Sequence, residues 1–304
     1  MKSKSLKINI FYTVLVLLIL LVLVMVTYSK YLENKYPWHI YQNNSYQLLD
    51  DYSGEGVTIA FLDTGLHNDL IESFGDRIVN PYNVIEDNTD ITDTNGHGTE
   101  MICVSSCDYE KNGIYGLAYN ANIMPVVVMD DTGRTSGEYI NKGIVYAVDN
   151  GADIINLSLG SRLENDLVKE AIEYAYENNV IVVSSVGDYQ EEKVLYPAKY
   201  ESVVAVQSQS KLGVKYKDSS WGEEVDLLIP GEFIETLGIN FDNNTLETKY
   251  ESGSSISTAY LTSVIALMIE KNEDYTVDEV TVYIQNYNVQ NEFINLNRFA
   301  KGFQ

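Results

Sequence analysis

The chain has 304 residues, with 44 acidic side chains against 20 lysines and arginines and a formal charge of −24 at pH 7. This surplus of carboxylates excludes nucleic acid as a natural partner, because phosphate binding requires a cationic face. The length is sufficient for an ordinary hydrophobic core, and two cysteines are too few for a disulfide framework.

The first long feature is an uncharged, mostly aliphatic stretch at residues 8–29. A helix of this length can cross the hydrocarbon core of a membrane. Three lysines within residues 1–7 favour a cytoplasmic N-terminus with everything after the stretch outside. A cleaved signal peptide is the alternative, but no small-x-small cleavage pattern follows the apolar core. We therefore predict a single-pass anchor.

Short apolar runs then alternate with helical patterns. The runs predict buried strands at 57–62, 123–129, 154–159, 180–186, 203–206 and 225–229, and apolar residues three and four apart predict helices at 138–150, 165–178 and from 254 to about 269. Continuously apolar strands that alternate with helices indicate a parallel sheet covered on both faces. We expect a membrane-proximal segment at 30–52 and one α/β domain at 53–304.

Three motifs in the order Asp, His, Ser carry the strongest functional signal. Asp63 ends the first predicted strand within Asp-Thr-Gly, His97 lies between glycines in Asn-Gly-His-Gly-Thr, and Ser255 lies in Gly-Ser-Ser-Ile-Ser before the long apolar helix. A nucleophilic serine needs an imidazole that takes its proton and a carboxylate that fixes the imidazole tautomer. These three motifs contain all three groups.

Each motif alone has a structural explanation. Asp63 could simply close a turn, His97 could be structural, and the serines around Ser255 could cap a core helix. Asp-Thr-Gly also occurs in aspartic peptidases, where two such carboxylates share a proton. Only one copy is present, and the helix-rich pattern contradicts a mostly β fold. The combination in one order therefore carries the prediction.

In this order the motifs resemble those of the subtilisin-like serine peptidases. The resemblance covers about residues 36–300 and includes Asp-Ile-Ile-Asn-Leu-Ser-Leu-Gly at 153–160, Ile-Val-Val-Ser-Ser-Val-Gly at 181–187 and Tyr-Pro-Ala-Lys-Tyr at 196–200. It implies a three-layer α/β fold with a mainly parallel sheet. It also implies a serine endopeptidase that needs no cofactor for its chemistry, with Asp63, His97 and Ser255 as the triad. With the anchor, it suggests a bacterial membrane enzyme whose catalytic domain is extracytoplasmic.

The resemblance also implies where a peptide or protein substrate binds. Extended peptides add as a strand beside such enzymes. The residues that match the edge and the pocket are Ser158, Leu159, Gly160, Ser185, Val186, Gly187 and Leu195. Leu195 stands where many relatives have a small residue, so we expect a shallow pocket. The segment from residue 36 resembles the start of a mature subtilisin, which leaves no room for a propeptide and suggests a restricted substrate.

One position in the oxyanion region departs from the family pattern. Asp188 stands where the family usually has an asparagine whose amide donates to the oxyanion, whereas an ionised carboxylate cannot donate. The N–H groups of Ser254 and Ser255 would remain as donors. One hypothesis is an active but slower enzyme that works better where Asp188 is neutral. The alternatives are a weak or inactive pseudopeptidase that binds extended peptides, and an esterase.

Calcium is a further implication of the resemblance, because many subtilisins bind it. Their ligands include an aspartate soon after the first motif, matched here by Asp69, and a second loop that matches residues 108–114 only loosely. Hard oxygen ligands suit this ion. We therefore consider a structural calcium at Asp69.

The two cysteines, Cys103 and Cys107, lie four residues apart in the helix expected after His97. Such a pair shares one helix face, but helical geometry suits a disulfide poorly. We expect two small, buried and unpaired thiols.

Overall fold

The computed structural model describes residues 2–287 and 294–303. Met1, residues 288–293 and Gln304, which fall within the predicted N-terminus and peptidase domain, lie outside the described residues. Helix α1 (Lys2–Lys35) extends beyond the predicted 8–29 on both sides, because no proline or glycine interrupts the chain before Pro37. Within the described part of the chain, it alone is long and apolar enough to cross a membrane.

The segment after α1 is built into the domain rather than forming a free linker. It contains the short helix α2 (Trp38–Gln42) and a 3-10 turn at Ser45–Gln47. Ile40 and Leu48 of this segment are fully buried in the main core. Although residues 30–52 are polar in composition, Ile40 and Leu48 attach this segment to the main core.

Seven parallel strands form the central sheet, which confirms the predicted fold class. They are β1 (Thr58–Asp63), β2 (Tyr82–Asn83), β3 (Asn122–Val127), β4 (Ile154–Leu157), β5 (Ile181–Ser185), β6 (Val203–Gln209) and β7 (Leu227–Pro230). The strand order is β2-β3-β1-β4-β5-β6-β7, and every neighbouring pair is parallel. The order reverses between β1 and β4, and such a switch point is where ligands of open α/β sheets gather.

Helices cover both faces of the sheet, as expected. They are α3 (Asn68–Phe74), α4 (His97–Ser106), α5 (Tyr109–Asn112), α6 (Gly137–Asp149), α7 (Asp166–Glu177), α8 (Ser254–Lys271), α9 (Val277–Asn286) and α10 (Leu296–Gly302). The helices α4 and α8 share one core with α2, whereas α6 and α7 pack in a second core on the opposite face. The predicted helices differ from α6, α7 and α8 by at most two residues at either end.

A two-stranded antiparallel hairpin, β8 (Ile234–Asn240) and β9 (Thr245–Glu251), was not predicted. Its sequence has no long apolar run, because only β8 contributes several buried side chains while β9 is largely solvated. The hairpin packs on α4, where the Thr236 hydroxyl donates to the Glu100 carbonyl over 2.9 Å. This contact places β8 beside the helix that begins at His97.

The prediction of unpaired thiols was wrong, because Cys103 and Cys107 form a disulfide. Helix α4 ends at Ser106, and Cys107 adopts an extended conformation with φ −65° and ψ 141°. Cys107 has therefore left the helical path that made the pairing unfavourable, and its Cα lies 4.6 Å from that of Cys103. Both residues are buried as expected.

Candidate active site

Asp63 and His97 meet at the carboxyl end of β1. The ring Nδ1 of His97 lies 2.8 Å from Asp63 Oδ1 and 3.0 Å from Oδ2. Asp63 is buried with 1% of its side chain exposed, whereas His97 keeps 31% open to the cleft. With Nδ1–H donating to this carboxylate, Nε2 is the ring nitrogen left to exchange a proton with another group.

The glycine after His97 allows α4 to approach β1 closely. A Cβ at Gly98 would lie only 2.9 Å from the backbone nitrogen of Gly65 and 3.2 Å from Asp63 Cβ. The Gly98 N–H donates to the Thr64 hydroxyl over 2.8 Å, and Thr64 N–H donates to Asp63 Oδ1 over 2.8 Å. Gly98 thus has a packing reason, whereas Gly96 adopts a positive φ of 104° that favours glycine.

Asp93 organises the loop that carries His97, and the sequence analysis missed it. Its buried carboxylate accepts the N–H groups of Asn95 at 2.9 Å, Gly96 at 2.8 Å and Thr99 at 3.0 Å, and the Thr99 hydroxyl at 2.6 Å. A carboxylate with several donors fixes its loop strongly. The pattern of an aspartate two residues before Asn-Gly is typical of such a turn and could have indicated this role.

Ser255 lies in the first turn of α8, the helix that begins beside the cleft. Among the described residues its N–H has no acceptor, as is usual for the first turn of a helix. Its hydroxyl donates to the Ser158 carbonyl over 3.3 Å and makes no hydrogen bond with His97 within the described part of the chain. The structure thus brings Ser255 to the cleft without closing a Ser-His hydrogen bond.

Asp188 contacts the N-terminus of α8. The Ser254 N–H donates to both carboxylate oxygens of Asp188, at 3.0 and 2.9 Å, and the Ser254 hydroxyl donates to Oδ2 over 2.9 Å. The Ser254 N–H, which we expected to face the oxyanion, is therefore already engaged, and the Ser255 N–H remains. Desolvation by the surrounding protein raises the pKa of Asp188 above its usual value, while the bonds from Ser254 oppose this rise.

The expected substrate-binding residues lie at the ends of β4 and β5, on two neighbouring strands. Ser158, Leu159 and Gly160 follow β4, while Ser185 ends β5 and is followed by Val186 and Gly187. Leu195 fills the space between the two segments: a Cβ on Gly160 or on Gly187 would come within 2.7 Å of Leu195 Cδ1. The side chain of Leu195 is buried, so it forms the floor of this part of the cleft.

A cavity of about 600 Å³ continues from the segment after β4. Its lining combines polar side chains, including Arg134, Glu164 and Asn165, with the apolar side chains of Met129, Ile140, Leu159, Leu163 and Val168. The sequence analysis did not predict it, because its walls come from α6, α7 and three separate loops.

Carboxylates surround His97. Burial alone lowers the pKa of this imidazole, but the negative charge and hydrogen bond of Asp63, aided by Glu100 and Asp93, outweigh burial and raise the pKa to about 9. Glu100 lies one helical turn after His97, and burial together with the negative charge of Glu251 raises its own pKa to about 7. The surrounding carboxylates therefore favour the protonated imidazole, and the neutral form that acts as a base becomes more populated as the pH rises.

Asp69 lies apart from these residues, in the first turn of α3. Its side chain is 61% exposed, and its carboxylate lies 3.7 Å from His67 Nδ1. No group of three or more acidic, histidine or cysteine side chains converges on a metal-sized site within residues 2–287 and 294–303.

A parallel α/β sheet with a histidine–aspartate pair and a serine at a helix N-terminus defines a serine hydrolase of the subtilisin type. The Subtilase family (Peptidase S8) matches residues 54–302, and the chain belongs to this family of serine proteases. This result confirms the resemblance seen in the sequence.

Individual relatives agree with this assignment. The chain is 30% identical to thermitase of Thermoactinomyces vulgaris over 223 residues, which cover 73% of this chain and 78% of that protein. It is 28% identical to subtilisin DY of Bacillus licheniformis over 236 residues, covering 75% and 82% of the two chains.

Solved structures show the same fold. The crystal structure of a cold-adapted subtilisin-like serine proteinase matches with a TM-score of 0.69 and 28% identity, covering 78% of this chain and 84% of that one. A protease from Pseudoalteromonas arctica matches with a TM-score of 0.80 over 88% of this chain and 97% of that one, and at 22% identity this likeness concerns the fold alone.

Proposed function

We propose that the chain is a membrane-anchored serine endopeptidase that cleaves a restricted extracytoplasmic peptide or protein through Asp63, His97 and Ser255. The observation that carries this proposal is the pair of short contacts between His97 Nδ1 and the buried Asp63 carboxylate. A buried carboxylate in this position fixes the tautomer and stabilises the imidazolium that forms when the histidine accepts a proton.

The proposed reaction uses these three groups in turn. His97 Nε2 removes the Ser255 hydroxyl proton as the oxygen attacks the substrate carbonyl, and His97 then gives that proton to the leaving amine. The acyl-enzyme is hydrolysed by water in the second half of the cycle. The Ser255 hydroxyl must first leave the Ser158 carbonyl, and catalytic hydrogen bonds often form only when substrate is bound.

The proposed substrate path runs along the ends of β4 and β5. An extended peptide would pair its main chain with Ser158–Gly160, and the side chain before the scissile bond would enter the space that ends at Leu195. Because Leu195 fills this space, we infer a preference for small residues there. The neighbouring cavity of about 600 Å³ would accept an apolar side chain farther along the same peptide.

A fluorophosphonate probe tests the proposed nucleophile. We expect the full-length protein to be labelled at alkaline pH, with the label mapped to Ser255 by peptide mass spectrometry. Labelling should disappear in Ser255→Ala and persist in the neighbouring variant Ser254→Ala. Labelling of a different serine, or none in a folded sample at pH 9 to 10, would contradict the proposed triad.

The location is also part of the proposal, with residues 1–7 cytoplasmic, 8–29 in the membrane, 30–52 next to it and 53–304 forming the external peptidase domain. Both cysteines of the chain are paired, so an introduced thiol can be labelled selectively. We expect Leu212→Cys, at a position 86% exposed, to react with an impermeant maleimide on intact cells. Lys4→Cys should react only after lysis, and a shortened mature chain would instead indicate cleavage of the N-terminal helix.

A pseudopeptidase that binds extended peptides is the second candidate. It is favoured by the bond from the Ser255 hydroxyl to the Ser158 carbonyl and by the Asp188 carboxylate beside the helix N-terminus. It predicts that Ser255→Ala preserves the cellular role, whereas the peptidase proposal predicts its loss. Complementation of a deletion strain with this variant separates the two.

A structural calcium at Asp69 remains a minor part of the proposal. Only the family resemblance and one exposed carboxylate support it. If calcium binds there, a chelator should lower the melting temperature of wild type but not of Asp69→Asn, and equal shifts in the two proteins would refute this site.

A further inference from the structure

Helix α1 is joined rigidly to the peptidase domain. Leu32, in its last turns, is buried at 7% exposure, although the side chains described in the preceding part of the helix are exposed. The hydroxyl of Ser29 lies 2.6 Å from that of Tyr41 on α2. The end of the anchor is thus fixed to the domain by packing and by a hydrogen bond.

The residues that follow α1 extend this fixation into the core. Ile40 is completely buried, and the His39 ring packs edge-on against the Tyr260 ring of α8 with centroids 5.2 Å apart. The Ser45 hydroxyl lies 2.7 Å from the Tyr260 hydroxyl. These contacts hold α2 in the domain, and only Tyr36 and Pro37 separate α2 from the end of α1, so the connection between anchor and domain is short.

Tyrosines surround the joint between anchor and domain. Tyr36 stacks on Tyr46 at 5.2 Å and contacts Tyr115 at 5.3 Å, while Tyr115 stacks on Tyr109 at 4.1 Å. Two further tyrosines at 28 and 31 are exposed on the last turns of α1. Tyrosine is enriched at membrane–water interfaces, because its ring is apolar and its hydroxyl is hydrated.

A groove of about 560 Å³ separates the end of α1 from the domain. One wall is formed by Met25, Tyr28, Ser29 and Leu32 of α1, and the other by Tyr41, Gln42, Asn44 and Tyr46. If α1 spans a membrane to residue 29, the first wall lies at the level of the upper acyl chains and headgroups. The second wall, a surface of the peptidase domain, faces the same layer.

We propose that this joint seats the peptidase domain directly on the lipid surface, so that the enzyme cleaves polypeptides tethered to the same membrane at a fixed height. The proposal rests on the proposed function, because it assumes that α1 is retained as an anchor. The occupant of the groove is the headgroup and upper acyl region of phospholipids, since the groove is continuous with the apolar surface of α1.

The size of the domain limits this height. A domain of about 250 residues has a radius of gyration of about 18 Å and hence a diameter of about 45 Å. An extended chain spans about 3.3 Å per residue. A tethered substrate can therefore reach every height on the domain with about 14 extended residues between the membrane and its cleavage site. If the domain is seated rigidly, a cleavage site that lies closer to the membrane than the cleft is not cleaved.

Contact with lipid can be measured without any activity assay. Gln42 is exposed and lines the groove, whereas Tyr176 does not line it and lies near the end of α7, where its hydroxyl donates to Asp278. We expect bromine to quench most of the fluorescence that the new tryptophan of Gln42→Trp adds, when the protein is in vesicles of phosphatidylcholine brominated near the headgroup. Tyr176→Trp should lose none, and wild type gives the background of the two native tryptophans. Equal quenching of the two variants in vesicle-bound protein would overturn the seating.

The substrate class is tested with membrane-anchored substrates whose cleavage site follows spacers of about 5 to 40 residues. Wild type should cleave only above a threshold spacer. A variant with a flexible Gly-Ser linker of about 12 residues after Lys35, spanning roughly 20 Å, should also cleave at shorter spacers, because its domain can turn the cleft towards the membrane. Identical spacer dependence in both proteins would refute the fixed height. Failure to cleave even the soluble peptide would refute the peptidase, whereas the quenching measurement would still decide the seating.

Discussion

Replacing Asp188 by asparagine is the sharpest test of the active-site chemistry. The Asp188 carboxylate lies 2.9–3.0 Å from the Ser254 N–H, immediately beside the Ser255 N–H that would bind the oxyanion. A unit charge about 5 Å from the oxyanion opposes it by about 3 kcal/mol at an effective dielectric constant of about 20. Loss of one oxyanion donor costs about 2.7–4 kcal/mol, a value that comes from the matching position of subtilisin and not from this structure.

These two effects overlap, so we expect Asp188→Asn to raise kcat by about 10²- to 10³-fold where Asp188 is ionised. Asp188→Ala is the matched control, because it removes the charge without supplying a donor. Its gain should be smaller, and loss of the acceptor for the Ser254 N–H should lower its free energy of unfolding by about 1 kcal/mol.

The pH dependence distinguishes a donor from a mere change of charge. A protonated Asp188 can donate, and burial raises its pKa. As the pH falls through that pKa, the advantage of Asp188→Asn over wild type should therefore shrink. The assay is hydrolysis of a fluorogenic peptide from pH 5 to 10, and the ratio of the two rates cancels the titration of His97 that both proteins share. A folded, probe-reactive Asp188→Asn variant no faster than wild type at any pH would refute the reasoning.

Three further predictions concern neighbouring features. Leu195→Ala should raise kcat/KM by about 10- to 100-fold for substrates with a large apolar residue before the scissile bond. The same change should lower the free energy of unfolding by about 2–5 kcal/mol. An unchanged preference across a peptide series would show that Leu195 does not limit the pocket. Because His97 must be neutral to act as a base and carboxylates raise its pKa to about 9, activity should rise with pH, and Glu100→Gln should shift that rise to lower pH by roughly half a unit to one unit. Reduction of the disulfide should cost about 2 kcal/mol in urea unfolding, and the reductant should have no effect on the double variant Cys103→Ala/Cys107→Ala.

From the sequence alone the fold class and six of the seven strands of the central sheet could be predicted, but not the short strand β2 or the β8–β9 hairpin. Each buried parallel strand is a continuous apolar run, because both of its faces are covered, and each run was visible without long-range information. Asp63 follows such a run, and Ser255 precedes an apolar helix, so their places at a strand end and a helix start were local properties. The glycines beside His97 marked its motif, but the close approach of Gly98 to β1 became visible only in the structure.

Only the tertiary structure decided what these groups touch. The engagement of the Ser254 N–H by Asp188 joins residues far apart in the sequence, and no periodicity reports such a contact. The disulfide depended on where α4 ends, a boundary that local patterns fix poorly. The contact of α1 with the domain likewise depends on the burial of Leu32 and on the hydrogen bond between Ser29 of α1 and Tyr41 of α2, which no local pattern reports. Local patterns specify elements because they reflect burial along one segment, whereas contacts between segments are set by how the whole chain packs.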